Sequence, residues 1–386
     1  MRVGIDARIL AYPRSGIAAY LVGLLEELRS IAELDLVLFS DRPLLADYAS
    51  AIQGLEQVVF GFSKRRYWAN WLLASKLKEC RIDLYHAIWD AGIPFFAHCP
   101  SLLTLHSITP FQRPPYVTVD MIGNPKKRLF YRLIFEIERR IARKIIVTSE
   151  YMRQYIHQHA GVPLPAMEVV YLGVDRMFTR ITEDQRLSLV SRKYGLAGRK
   201  FFLAVPSRIM EERKNMPMII KGFNSFCEQR PGCDIPLVVV GEFLADRSEA
   251  EERLFAGLGA AVREKVLFLG HVPREELAVL LNLCEALVYP SFYEGFGLPL
   301  VEAFACGAPV LAANNSCIPE VTGGAALLVD PFDFRALAGG LIQFLEQPDF
   351  KESLRKKGAA RACLFSWKNN AQRTYAMYRS LCAHKK

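Results

Sequence analysis

Short runs of consecutive apolar residues alternate along this chain with longer stretches in which apolar residues return every three or four positions. The first kind reads as buried strand and the second as amphipathic helix, so the order is that of βα units on parallel sheets. In the first half, residues 3–5, 36–39, 82–86, 102–106, 145–148 and 169–171 have strand character. Ser15 and Gly16 turn into a helix with Ile17, Tyr20, Leu21, Leu24, Leu25 and Leu28 on one face; another helix is expected around 67–78, and Ser149 is placed to cap a third. After a polar, basic stretch at 179–200, the pattern restarts at 201–205 and continues through 237–240, 266–269, 287–289, 310–312 and 327–329. The first helix of this half carries Ile219, Ile220, Phe223 and Phe226 on one stripe, and the last helix carries Trp367, Ala371, Thr374, Tyr375, Tyr378 and Leu381. The pattern therefore predicts an α/β protein of two doubly wound domains, residues 1–176 and 177–366, facing across a cleft.

The totals change that picture little. A chain of 386 residues is long for one hydrophobic core, and 51% apolar with 23% charged residues is the composition of a folded water-soluble protein, not a disordered one. The net charge of +9 favours an anionic ligand or surface. Nine cysteines, an odd number without C-x-x-C spacing, argue against a zinc or dithiol site; Cys284, Cys306, Cys363 and Cys382 stand in apolar context and are expected to be buried free thiols in a reducing compartment. The first residues enter a strand with no leader pattern, and no apolar run reaches the ~20 residues of a bilayer-spanning helix, so a cytoplasmic protein is expected.

The stretch at 289–320, YPSFYEGFGLPLVEAFACGAPVLAANNSCIPE, carries the densest chemistry. Gly295 and Gly297 permit a sharp turn and close approach of a ligand to backbone, Pro299 suits the first turn of a helix beginning near Leu298, and Gly307 stops it. The amides and positive dipole end of that helix favour a phosphate or a sugar hydroxyl over the loop. Glu294 before the helix and Glu302 inside it stand roughly 8–12 Å apart at a rise of about 1.5 Å per residue. That separation is too great for a shared proton or one metal ion, but suits the two ends of a long polyhydroxylated ligand. A lone pair of glutamates at this spacing is otherwise an ordinary turn with a solvated or capping carboxylate.

A second stretch, SRIMEERKN at 207–215, follows the first strand of the second half. It clusters Arg208, Arg213 and Lys214 at a strand's carboxyl end, where a diphosphate would meet both cations and a helix N-terminus. Cations fixed there stabilise a leaving diphosphate more in the transition state than in the ground state. Alone, the stretch could equally be a solvated basic turn balanced by Glu211 and Glu212. There is no D-x-D triplet, no G-x-x-x-x-G-K-[ST] loop and no G-x-G-x-x-G after either first strand, so no metal and no cofactor is expected.

EGFGLPLVEAFACGAPV resembles the nucleotide-sugar signature of the retaining glycosyltransferases of family 4, and the likeness extends over nearly the whole chain. It implies a GT-B fold, two Rossmann-like domains with the last helix (367–386) crossing back onto the first. It further implies that Glu294 contacts the donor sugar, that the backbone of Phe296, Gly297 and Leu298 lies beside it, and that Glu302 hydrogen-bonds the ribose. The RKN triplet matches Arg213, Lys214 and Asn215, with Lys214 and either Arg208 or Arg213 on the diphosphate. RSGIAAY at 14–20 resembles the family's glycine loop, with Gly16 near donor phosphate or acceptor, although Ala18 stands where a second glycine is common. The strand ending LLTLHS places His106 as a sugar contact, with Ser107 where the family has Asp.

The resemblance leans toward transfer of mannose from GDP-mannose to a polysaccharide or glycolipid hydroxyl, by front-face attack with retention. A nucleotide-sugar 2-epimerase on the same fold and a non-catalytic nucleotide-sugar-binding protein are the alternatives. No nucleic-acid partner is expected. The basic run at 126–144 reads as an ordinary helix covering the sheet, with Leu129, Leu133, Phe135 and Ile137 in the core and its arginines solvated. Together with Lys64, Arg65 and Arg66, the same run would alternatively suit peripheral contact with an anionic membrane and a lipid-linked acceptor.

Overall fold

The computed structural model describes residues 1–12, 15–61, 66–89, 92–107, 125–206, 208–243 and 246–383, though not the side chains of 66–70, 125, 127–128 and 260. Arg14, Ser207 and the side chains of the basic cluster at 64–68 thus lie outside the described residues. The chain divides into two compact units: the described residues of Met1–Gln112, Met121–Gly173 and Ser366–Lys386 form the first, and those of Val174–Phe365 form the second.

The first unit holds a seven-stranded parallel sheet. Its strands are β1 (Arg2–Asp6), β2 (Asp35–Ser40), β3 (Glu56–Val59), β4 (Leu84–Ala87), β5 (Ser101–Leu105), β6 (Ala142–Val147) and β7 (Met167–Val169), in the order β3-β2-β1-β4-β5-β6-β7. The edge strand β3, mostly exposed, has only Val58 and Val59 as apolar residues and was not predicted by the pattern. Ser15 caps the helix Gly16–Leu28 and Ser149 the helix Glu150–Ala160, each hydroxyl accepting from a backbone amide three residues on. The helix Trp367–Ala383 belongs to this unit, with Trp367 and Tyr378 buried in it. Trp367 lies so close to Gly23 and Gly173 that a Cβ on either would come within 2.3 Å and 2.2 Å of it, respectively. Only glycine fits at both positions.

The helix Pro125–Ile141 departs from expectation. Phe135 is buried, but Leu129, Leu133 and Ile137 are exposed, because Glu138 occupies the inward face, where its carboxylate accepts from the Ile93 amide at 2.9 Å. Nor are all four cysteines of apolar context buried: Cys284 and Cys306 are, Cys382 is half-buried and Cys363 is exposed, and all nine are free thiols.

The second unit is a six-stranded parallel sheet of β8 (Phe202–Ala204), β9 (Leu237–Val240), β10 (Val266–Gly270), β11 (Ala286–Tyr289), β12 (Val310–Ala313) and β13 (Leu327–Val329), ordered β10-β9-β8-β11-β12-β13. One face of its core is filled by Phe202, Phe223, Phe226, Leu337 and Phe344, the aromatic stripe of the helix Met216–Gln229 meeting the helix Phe334–Glu346. The strand order reverses between β8 and β11. Connections leave these two strands in opposite directions, so the crevice beyond their carboxyl ends is where a ligand is most readily received.

Candidate active site

The loop after β8 and the loop after β11 meet at that switch point. Lys214, only 6% exposed, donates from Nζ to Glu294 Oε1 at 2.7 Å and to the Tyr289 hydroxyl at 3.1 Å. Tyr289 in turn donates to Glu294 Oε1 at 2.6 Å. Arg213 donates from Nη1 to the other carboxylate oxygen at 2.8 Å and from Nε to Glu211 at 2.5 Å. Local backbone chemistry fixes the geometry. The Phe292 amide donates to the Arg213 carbonyl at 2.8 Å. Asn215, at φ 57°, takes the left-handed conformation that asparagine tolerates, and its Nδ2 donates to the carbonyls of Pro290 and Pro331.

Charge balance in this buried cluster sets its protonation. Burial by itself raises the Glu294 pKa, but the charges of Arg213 and Lys214 and the hydrogen bonds from Lys214 and Tyr289 outweigh it and hold the carboxyl down to about 2. Burial, then the adjacent Arg213 charge, pulls Lys214 below its ordinary value against the pull of Glu294. Burial drives Tyr289 well upward, so its hydroxyl remains a donor. The result is a buried carboxylate and a buried ammonium, Glu294 and Lys214, with the half-buried Arg213 guanidinium beside them, an arrangement in which electrostatic contacts are stronger than at a surface.

Arg208 stands apart. It is exposed, bridges by backbone to Glu242, and forms no ion pair with Glu294 among the described residues. Of the two arginines the sequence left open, Arg213 is the one beside Lys214.

Gly297, at φ 87°, leads into the helix Leu298–Cys306, with Pro299 in its first turn and Gly307 at φ 75° ending it. The Phe296 ring is buried edge-to-face against Phe365 at 5.4 Å, so this segment is anchored by its side chain. Glu302, 5% exposed, accepts from Arg274 Nη2 at 3.1 Å. Arg274 also lies 3.8 Å from Asp175 and over the Phe178 ring at 4.8 Å. Burial raises the Glu302 pKa despite Arg274. Sequence reasoning missed Tyr289 and Arg274. A hydroxyl at the carboxyl end of a strand was a usable signal for Tyr289, whereas nothing local marks Arg274.

The remaining predicted residues sit in the first unit. Gly16 opens its helix with open space where a Cβ would project, so the chain's own packing does not demand glycine there. His106 follows β5 and packs its ring edge-to-face on Tyr20 at 4.6 Å. Its Nε2 is buried with no hydrogen-bond partner among the described residues, and burial lowers its pKa to about 4. A neutral imidazole suits a hydroxyl better than an anion. His86 is a core residue, bonded to Tyr378 and Thr104 at 2.7 Å each. Among the described residues no helix is long and apolar enough to cross a membrane.

Parallel sheets of seven and six strands in one chain are the architecture of the GT-B glycosyltransferases. HepE of Anabaena, solved in complex with UDP and glucose, matches 98% of this chain and 100% of its own at a TM-score of 0.78 and 20% identity. Residues 14–177 match the family described as Glycosyltransferase Family 4, and 189–361 the one described as Glycosyl transferases group 1. The chain belongs to glycosyltransferase family 4. O-antigen chain mannosyltransferase B of Escherichia coli is 30% identical over 73% of this chain and 70% of that protein. A serotype-specific mannosyltransferase WbdA of Escherichia coli is 29% identical over 65% of this chain, which spans only 30% of that longer protein.

Proposed function

We propose that this glycosyltransferase moves mannose from GDP-mannose to a hydroxyl of a polysaccharide or glycolipid acceptor, with retention and without a metal ion. The observation that carries the reading is the buried cluster of Arg213, Lys214 and Glu294 at the switch point of the second sheet. The names of the Escherichia coli relatives support the sugar.

As the bond from the anomeric carbon to the diphosphate oxygen breaks, negative charge collects on the leaving phosphate. Lys214 and Arg213 receive that charge from fixed positions, Lys214 already desolvated and Arg213 half-buried, so little reorganisation is required at the moment of reaction. Neutralisation by two fixed cations is the part that a divalent ion would otherwise play. Glu294 orients the donor sugar through its hydroxyls, the backbone of Phe296, Gly297 and Leu298 lies alongside, and Glu302 holds the ribose. Gly16 lets donor or acceptor approach the backbone of the first unit, and His106, whose buried Nε2 has no hydrogen-bond partner among the described residues, serves as the sugar contact. The acceptor oxygen attacks the face from which the diphosphate departs, and the leaving phosphate oxygen takes the acceptor proton. The reaction is assigned to the cytoplasm.

A thermal-shift panel of GDP, UDP, ADP and their sugar conjugates, with and without EDTA, tests this reading, since a ligand of the folded state raises the melting temperature. A shift with GDP and GDP-mannose that survives EDTA is expected. A shift confined to uridine nucleotides, or one abolished by EDTA, overturns the donor or the metal assignment. Sugar inversion without acceptor indicates an epimerase, and no shift with any nucleotide a non-catalytic protein.

A further inference from the structure

A cation opens the helix Arg274–Leu283, where the dipole favours an anion; the next two residues, Glu275 and Glu276, follow that preference and Arg274 does not. Other contacts hold it there. Its guanidinium lies over the Phe178 ring at 4.8 Å and 3.8 Å from the Asp175 carboxylate. The turn carrying both partners is itself fixed, the Phe178 amide donating to the Asp175 carbonyl at 3.0 Å and the Met177 amide to the Asp175 side chain at 3.2 Å. From this seat Arg274 Nη2 donates to Glu302 Oε1 at 3.1 Å. All these residues belong to the second unit.

Arg274 engages one carboxylate oxygen of Glu302 and leaves the other. Among the described residues no hydrogen-bond donor meets Oε2. Without Arg274 this carboxyl would favour its neutral acid, because burial raises its pKa, Asp175 adds a like charge, and the Cys306 thiol, pushed up to about 12 by burial, brings no charge. Arg274 opposes that rise. The difference bears on recognition. A carboxylate accepts hydrogen bonds at both oxygens, whereas a protonated acid turns one of them into a donor.

A ribose presents two neighbouring hydroxyls, and a carboxylate accepting at both oxygens is the group that meets such a pair. We infer that Arg274 is a positioning residue that selects for a ribonucleotide, by fixing the Glu302 carboxylate so that it accepts from the two neighbouring hydroxyls of a ribose. Phe178 and Asp175 keep the guanidinium on the far side of Glu302, so Arg274 acts through the carboxylate and touches no part of the nucleotide. This role rests on Glu302 holding the ribose, as proposed above, and not on which base or sugar the donor carries.

Isothermal titration calorimetry of the full chain at pH 7 tests it, with GDP and UDP each beside its 2′,3′-dideoxy form. Wild type should prefer the hydroxylated form of the nucleotide it binds by about 100-fold, two hydrogen bonds to a charged acceptor at about 10-fold each. Arg274→Ala should cut that preference to about 10-fold or less while binding the dideoxy form as wild type does; a merely structural role would weaken both forms alike. Arg274→Lys, which retains the charge, should keep most of the preference. Adding Arg274→Ala to Glu302→Gln should cost nothing further, because the two residues act as one. An Arg274→Ala protein that keeps the full preference, or one that loses both forms equally, overturns the role of Arg274 and leaves Glu302 on the ribose. So does a double variant whose loss is the product of the two single losses, since Arg274 would then act on the nucleotide by itself. Wild-type protein that binds the hydroxylated and dideoxy forms equally, or binds neither diphosphate, overturns the ribose assignment together with the role of Arg274.

Discussion

The ammonium of Lys214 and the carboxylate of Glu294 meet at 2.7 Å, joining the loop that leaves β8 to the loop that leaves β11. This ion pair and the one between Arg213 and Glu294 beside it span the point where the strand order of the second sheet reverses. In the proposed reaction an incoming diphosphate competes with the glutamate for the same cation, so Glu294 serves as the charge partner before substrate arrives.

Lys214→Ala should lower turnover by about 10²–10³-fold while changing the donor KM much less, because the cation acts chiefly on charge that develops as the leaving group departs. Steady-state kinetics with the donor identified by the thermal-shift panel measures both. An equal loss in donor affinity and turnover would falsify the leaving-group role.

The low Glu294 pKa has a stability consequence. A carboxyl whose folded-state pKa lies below its unfolded value contributes stability above the unfolded value, and that contribution is lost as pH falls through the folded value. With the folded value near 2 the contribution is about 3 kcal/mol at neutral pH, declining between about pH 5 and pH 2. Glu294→Gln should be less stable than wild type at pH 7, with the gap narrowing toward pH 2. Denaturant unfolding of both proteins across that range checks it, and parallel curves would show that Glu294 is not held ionised by the cluster.

Arg274 and Glu302 give the opposite sign. Burial raises the Glu302 pKa, so its favourable contribution is present below its unfolded pKa and is lost as pH rises through the folded one. Arg274 offsets part of that cost. Arg274→Ala should therefore lose about 1–3 kcal/mol near pH 7, as a buried carboxylate left unpaired, and regain most of it near pH 4. The added Glu302→Gln change should flatten this dependence, and urea unfolding at pH 4 and pH 7 distinguishes the outcomes.

Where a contact is local in the chain, the sequence made it readable. The turn glycines, Pro299 and the two glutamates lie within nine residues, and the helix they begin is the one observed at Leu298–Cys306. The cations of the loop after β8 could be placed at a strand end, but that Arg213 rather than Arg208 pairs with Glu294 is seen only in the fold. Arg274 reaches Glu302 across 28 residues with no pattern to announce it. The helix Pro125–Ile141 failed for a different reason. Periodicity identifies an apolar face without saying which way it points, and here a buried glutamate with a backbone partner took the inward position. The edge strand Glu56–Val59 has only two apolar residues, Val58 and Val59, and much of it meets water.

The placement of Trp367 and Tyr378 in the core of the first unit bears on how the chain is made. That unit begins at Met1 but includes the helix Trp367–Ala383, whereas the described residues of Val174–Phe365 form the second unit as one stretch. On a ribosome the second unit can close its core while the first still lacks the side chains that fill the space left by Gly23 and Gly173. The part of the protein synthesised first is then the part that finishes folding last.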